Sequence, residues 1–261
     1  MAVIPALRTR FAIKRNRELM KEAKGRPLAN RYTNFIPWAL LGLSAALICF
    51  FAHHYSRFPG DLDIARWLQG IDLPLVRPAM EAIDAMGFRL VIPLAVILCA
   101  LLLWVIRRRT EAFFVAMTLF AYWSTLIIKL VVDRPRPPDL DTGVVSWYLA
   151  PGPAFPSGHV MHFVLFYGLL LYLAPTLIKN KRARLALQVF LGSMIVLVGP
   201  SVVYTARHWP SDALGGYIVG GLFLAALVWG YNRCKDGRFD RWYEAVRLNG
   251  RRTLRMQFNG R

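Results

Sequence analysis

Residues 198–216 read VGPSVVYTARHWPSDALGG. A long apolar run, 186–206, closes in this stretch, and another, 214–231, opens at its end. Between them stand Arg207, His208 and Asp212. Each run is near the roughly 20 residues a helix needs to cross the hydrocarbon core of a bilayer. Charged groups are costly inside that core, so polar residues at the junction of two such runs call for a reason. The two runs point to the fold, and the three side chains between them raise the question of function.

Four further runs precede these two, at 35–53, 88–106, 113–132 and 160–178. Buried helices of a soluble bundle account for one or two such runs but not for six. The composition agrees: 56% of the 261 residues are hydrophobic, and the mean hydropathy is +0.38. The predicted fold is an all-α membrane protein with six transmembrane helices. Residues 1–33 are expected as a basic cytoplasmic tail, 34–232 as the membrane domain, and 233–261 as a second basic cytoplasmic tail. The first run follows a long basic segment and lacks a small-x-small site, so it reads as a retained anchor rather than a removed signal.

The formal charge of +18 raises the possibility of nucleic-acid binding, but its distribution argues against it. Of the 33 Lys and Arg, 25 fall in 1–33, 107–109, 179–184 and 232–261. These are the segments a six-span chain with both ends inside would leave in the cytoplasm, as the positive-inside bias requires. The charge therefore records topology and contact with anionic headgroups. The three cysteines form no disulfide pattern. The tail 1–33, in which Phe11, Ile13, Leu19 and Met20 alternate with basic residues, reads either as a helix on the inner surface or as a disordered tail.

With the N-terminus inside, 54–87, 133–159 and 207–213 lie outside. In 61–86, Ile64, Trp67, Leu68 and Ile71 share a helical face, as do Val76, Ala79, Met80 and Ile83, with acidic residues opposite. Two short amphipathic helices on the outer face are expected there, shaping a lipid entry. A connector folded onto the bundle is the other reading.

Three clusters share the outer side. In KLVVDRPRP, 129–137, Lys129 sits against the positive-inside trend, with Arg134 and Arg136 each before a proline. Lys129 taken singly reads as a snorkelling lysine; three cations together suit a phosphate, for which Arg offers a planar fork of donors. In FPSGHVMHF, 155–163, Ser157 is a helix N-cap and Gly158 lets an anion approach the backbone N–H groups and the positive end of the dipole. His159 shares that first turn, and His162, one turn deeper, reads as packing or as a supporting hydrogen bond. In the third cluster, Asp212 in the first turn after Pro210 can reach back four residues to His208. That pair either ties loop to helix or makes the imidazole a nucleophile or base. Jointly the clusters hold what phosphoryl transfer requires: cations for the equatorial oxygens, an in-line nucleophile, and an acid for the leaving group.

On these residues the sequence resembles the type-2 phosphatidic acid phosphatase superfamily, which is related to the vanadate-dependent haloperoxidases. Lys129, Arg136 and Pro137 match its Lys-x6-Arg-Pro motif. Pro156, Ser157, Gly158 and His159 match Pro-Ser-Gly-His. Ser201, His208 and Asp212 match Ser-Arg-x5-His-x3-Asp. The resemblance implies a metal-independent lipid phosphatase with no cofactor, in which His208 attacks phosphorus, Asp212 orients it, and His159 protonates the leaving group. Lys129, Arg136, Ser157 and Gly158 would hold the phosphoryl oxygens. Val202 stands where the third motif has arginine, at a cost of about 1.5–3 kcal/mol for the lost charge-assisted bond. Arg207 is expected to replace it, provided the helix ends before it and the chain turns; Arg134 is the other candidate. A phosphotransferase, or a lipid-binding or transport protein keeping the pocket, are the competing functions. The expected setting is a bacterial cytoplasmic membrane, with a lipid phosphate as partner, no nucleic acid, and the site facing outward.

Overall fold

The computed structural model describes residues 36–88, 90–137 and 152–236. The predicted tails, 1–33 and the part of 233–261 beyond residue 236, lie outside the described residues. Met1–Leu43 and Ser44–Arg261 are separate compact units. Residues 36–43 begin the first helix, and every contact below lies within Ser44–Arg261.

Nine helices and no strand occur among the described residues. They are α1 (Ile36–His54), α2 (Asp61–Gln69), α3 (Val76–Met86), α4 (Val91–Val105), α5 (Arg109–Met117), α6 (Phe120–Val132), α7 (Gly158–Leu177), α8 (Lys181–Tyr204) and α9 (Pro210–Lys235). Helix α7 is central. Its sequence, GHVMHFVLFYGLLLYLAPTL, is apolar on nearly every face, and a helix of that kind belongs inside. Val160, Met161, Phe163, Leu165, Leu169 and Leu173 are buried along it, and α8 and α9 both pack on it.

Glycine sets the distance between α7 and α9. A Cβ at Gly216 would stand 2.9 Å from the Ser157 carbonyl oxygen and 2.8 Å from Val160 Cβ. One turn on, a Cβ at Gly220 would stand 3.3 Å from Met161 Cα. The helices thus meet backbone to backbone at the end where both begin. Ser157 caps α7 there, and Pro210 and Asp212 open α9. The Ser157 N–H donates to the Asp212 carbonyl at 3.0 Å, which joins the two helix starts directly.

The outer faces are apolar. Leu98, Leu102 and Trp104 on α4, and Ile127 and Leu130 on α6, are each more than half exposed. So wide an apolar surface suits hydrocarbon rather than water. Helices α1, α7, α8 and α9 are each long and apolar enough to cross a membrane, and α3 with α4, bent by 62°, would make a fifth crossing. These four helices correspond to the predicted runs 35–53, 160–178, 186–206 and 214–231. The run 88–106 forms α4, which has 15 residues. The run 113–132 is divided between α5 and α6. At the break Thr118 Oγ1 donates to the Val115 carbonyl at 2.7 Å, and the N–H groups of Thr118 and Leu119 bond three residues back at 3.0 Å. A side chain competing for a helical carbonyl bends the helix in this way.

Residues 61–86 do form two short helices, α2 and α3. The expectation that their acids face outward fails for two of them. Asp61 and Asp84 are 3% and 1% exposed, whereas Trp67 is 68% exposed. Each buried carboxylate meets an arginine, and that pairing overrides the hydrophobic period.

Because Gly216 leaves no room for a methyl group, Gly216→Ala is expected to cost about 1–3 kcal/mol through overpacking. The thermal midpoint of the detergent-solubilised protein would fall by several degrees. Gly221→Ala, with nothing within 4 Å of its Cβ position, would leave the midpoint in place.

Candidate active site

The site forms where α6 ends and where α7 and α9 begin. Helix α6 ends at Asp133, whose left-handed backbone (φ 44) turns the chain into the segment carrying Arg134 and Arg136. That segment pairs with the approach to α7: the Ala154 N–H donates to the Arg134 carbonyl at 2.7 Å. Lys129 Nζ donates to the carbonyls of Pro153 and Ala154 at 2.6 and 3.0 Å. Lys129 therefore faces the loops and the cavity rather than lipid. Arg136 donates from Nη1 to the Arg207 carbonyl at 2.6 Å and from Nε to the Gly152 carbonyl at 3.1 Å.

Helix α8 ends at Tyr204, and Ala206 takes a left-handed backbone (φ 53) that swings the chain back. The carbonyl of buried Val202 accepts from the N–H groups of Arg207 and His208, at 3.0 and 3.2 Å. The condition for Arg207 to stand near the position of a side chain at 202 is met, since the helix ends and the chain turns. Arg207 pairs through Nε with Asp84 Oδ2 at 2.6 Å.

His208 and Asp212 meet as a loose pair, with Nδ1 3.6 Å from Oδ2. That is an ionic contact, longer than a hydrogen bond. Asp212 has stronger partners: Oδ2 accepts from the Trp209 N–H at 2.9 Å, and Oδ1 accepts from Arg134 Nη1 at 2.5 Å. Arg136 Nη1 points toward His208 Nε2 at 3.5 Å. The rings of His159 and His208 lie 6.4 Å apart, centroid to centroid. His208 sits in the turn between α8 and α9, and burial foremost, then Arg136, Lys129 and Arg207, hold its imidazole well below the ordinary value of 6.5.

A cavity of about 390 Å³ opens beside Arg136 and His159. Lys129, Arg136, Gly158, His159 and His162 line one part of it, and Phe88, Ile92, Pro93, Leu126 and Leu130 line the other. His162 Nδ1 donates to the Gly158 carbonyl at 2.5 Å, the supporting bond expected of it. Ser157 caps α7, its Oγ accepting from the Val160 N–H at 3.5 Å. Among the described residues, no three His, Cys, Asp or Glu side chains gather as a set of metal ligands.

Arg134 is fully engaged elsewhere. Its Nη1 also donates to Ser211 Oγ at 2.8 Å, its Nη2 to Asp61 Oδ2 at 3.0 Å, and its Nε to the carbonyls of Tyr55 and Ser56 at 3.2 Å. All three guanidinium nitrogens of Arg134 hold protein oxygens. The sequence reading missed Asp61 and Asp84. The available signal was an excess of outward arginines over the number a phosphate needs, since a buried cation requires an anion.

Residues 110–236 match the PAP2 superfamily. This segment is a PAP2 superfamily domain. Over 83 residues the chain is 37% identical to phosphatidylglycerophosphatase B of Bacillus subtilis, covering 30% of this chain and 39% of that one. Over 115 residues it is 33% identical to the lipid A 1-phosphatase of Rhizobium etli, covering 41% of this chain and 44% of that one. The matches thus span about two fifths of the length of these curated relatives. The fold resembles the crystal structure of a transmembrane PAP2-type phosphatidylglycerolphosphate phosphatase from Bacillus subtilis, with TM-score 0.61, 20% identity, and coverage of 73% of this chain and 95% of that one. It also resembles Aquifex aeolicus LpxE, with TM-score 0.51 and 18% identity, over 66% of this chain and 94% of that one. With its long apolar helices, the protein is an integral membrane protein. Asp61 and Asp84 lie outside the matched PAP2 segment.

Because Arg134 neutralises two buried carboxylates, Arg134→Met is expected to cost about 3–5 kcal/mol. The thermal midpoint in detergent would fall sharply, or the protein would fail to accumulate folded. Arg136→Ala, in the same PAP2 segment but only partly buried, would hold its midpoint within a few degrees.

Proposed function

We propose that the protein removes a phosphate from a lipid phosphate or lipid pyrophosphate through a phosphohistidine intermediate, without a metal. The observation that carries this reading is the approach of His159 and His208 to 6.4 Å beside a cavity lined by Lys129 and Arg136. His208 Nε2 attacks phosphorus as the bond to the leaving oxygen breaks. His159 gives that oxygen a proton. Water then attacks the phosphohistidine, His159 takes the proton back, and the P–N bond breaks to release phosphate. Asp212 keeps the Nδ1 proton in place and balances the charge that appears on the imidazole. Lys129, Arg136, Arg207, Ser157 and the backbone N–H at Gly158 hold the phosphoryl oxygens.

The apolar side of the cavity supports a substrate with a hydrocarbon tail. The names of the curated relatives, a phosphatidylglycerophosphatase and a lipid A 1-phosphatase, support a lipid phosphate. In this reading α5 and α6 together make one crossing and α4 another, which gives six. The excess of Lys and Arg at both ends of the chain and in 107–109 and 179–184 supports cytoplasmic termini and an outward site, with α2 and α3 on the outer face.

Phosphate release from a panel of lipid phosphates in mixed micelles, with EDTA present, tests the proposal. Wild type should turn over at least one lipid regardless of EDTA, and His208→Ala should lose at least about a thousandfold in kcat. Release that survives His208→Ala, or is abolished by EDTA, refutes it.

The acid limb of the pH profile follows from the lowered value of His208. Protonation removes the nucleophilic lone pair, and a lowered value delays protonation as pH falls. The acid limb of kcat/KM is therefore expected below the ordinary value of 6.5.

A further inference from the structure

Helix α3 brings a carboxylate to this site that none of the matched motifs contains. Asp84 is 1% exposed and reaches two groups at once. Its Oδ2 lies 2.6 Å from Arg207 Nε, and its Oδ1 lies 3.6 Å from His159 Nε2. Among the described residues it is the one carboxylate within 4 Å of either side chain. Two residues a turn further on, Gly87 and Phe88, complete the contact. Gly87 ends α3 against His159, and a methyl group at Gly87 would overlap the imidazole. Phe88 lies under the Arg207 guanidinium, 4.8 Å from its ring centroid, and edge-on to His159 with centroids 6.5 Å apart.

Stability does not explain this arrangement well. Burying an ion pair costs desolvation that the attraction between its members barely offsets, and an apolar pair would serve as well or better. Geometry explains it better. Position 202 supplies no guanidinium, but its carbonyl anchors the turn carrying Arg207. That turn leaves a long side chain with several rotatable bonds, which must be aimed. A carboxylate on Nε and an aromatic ring under the planar face remove most of that freedom before substrate arrives. The same carboxylate faces His159, which is otherwise surrounded by the cations Arg136 and Arg207 and by His208 and His162.

We propose that Asp84 is a positioning residue of this site, fixing the Arg207 guanidinium beside His159 and so supporting, from α3, the cation that position 202 lacks. The proposal rests on the phosphatase reading above. Asp84 acts through Arg207 and His159 and does not itself touch the phosphoryl group.

The test uses the full-length protein in detergent, with wild type, Asp84→Asn, Arg207→Ala and the double variant. Two quantities are read: kcat/KM for the lipid phosphate that wild type prefers, and the affinity for inorganic orthovanadate, a phosphoryl mimic, from the shift in thermal midpoint. Asp84→Asn is expected to lose about tenfold or more in kcat/KM and to weaken orthovanadate several-fold. The double variant should be no worse than the poorer single variant, because both act through one guanidinium. The proposal is overturned if Asp84→Asn stays within twofold of wild type on both measures, or if the losses multiply in the double variant. Should Asp84→Asn not fold, Asp84→Leu combined with Arg207→Met removes both charges together, and a folded, fully active protein would overturn the proposal. Failure of the phosphatase reading looks different: wild type releases no phosphate, or His208→Ala changes nothing. The orthovanadate arm still decides the role of Asp84 in that case, and wild type that does not bind orthovanadate also overturns it.

Discussion

A buried charge must find its opposite, and in this protein that requirement ties the outer helices to the bundle. Arg134 is almost without exposure, and Asp212 beside it is completely buried. Neither could remain ionised there unpaired, since isolated charge in such surroundings costs several kcal/mol. Asp212 is shared between Arg134 and the Trp209 N–H, and Arg134 between Asp212 and Asp61. Ser211 closes the group, its N–H and its hydroxyl both donating to Asp61. One guanidinium thus joins the segment after α6, the start of α9 and the start of α2. The orientation of His208 follows, because the carboxylate it faces cannot move without breaking this set.

The second constraint is steric. Gly216 lets α9 approach α7 until the Ser157 N–H reaches the Asp212 carbonyl. The first turns of the two helices then share an edge, and residues far apart in sequence occupy one small volume at the rim of an apolar bundle. Charge pairing and close packing do different work here. Packing sets where the helix starts lie, and pairing sets how their side chains turn.

The residues with chemical character could be read from the sequence. Lys129, Arg136, Ser157, Gly158, His159, Arg207, His208 and Asp212 stand out in the sequence as residues next to apolar runs; of these the structure brings Lys129, Arg136, Gly158 and His159 to the lining of one cavity, and His208 meets Arg136 and His159 behind it. The helical class and the two short helices of 61–86 were equally legible. What could not be read was decided by contacts between distant segments. Periodicity assigned the acids of α2 and α3 to the outside, because a helical pattern shows which residues share a face but not which arginine waits opposite. The role of Arg134 was hidden for the same reason. Beside Arg136 it looked like another phosphate ligand, and its partners Asp61 and Asp212 lie 73 and 78 positions away. The break at Thr118 turns on one hydroxyl bonding a carbonyl three residues back, and hydropathy does not register such a bond.

The arrangement also bears on how a phosphate would be held. Lys129, Arg136 and Arg207 converge near two imidazoles, one of which is kept neutral by burial and by those same cations. Charges of one sign gathered in poorly screened surroundings repel one another, and two devices ease that repulsion. Backbone carbonyls of Pro153, Ala154, Gly152 and Arg207 hold Lys129 and Arg136, and the Asp84 carboxylate holds Arg207. Carbonyl dipoles offset a cation without cancelling its charge, so Lys129 and Arg136 keep their full attraction for an anion. Asp84 does cancel charge, but at Arg207 rather than at the other two cations. In the proposed function, a phosphate dianion entering the cavity would meet cations already aimed and, among the described residues, would displace no carboxylate from Lys129 or Arg136. Its binding relieves repulsion between groups that the fold has already paired as far as it can, which is how preorganised charge favours a tetrahedral anion over water.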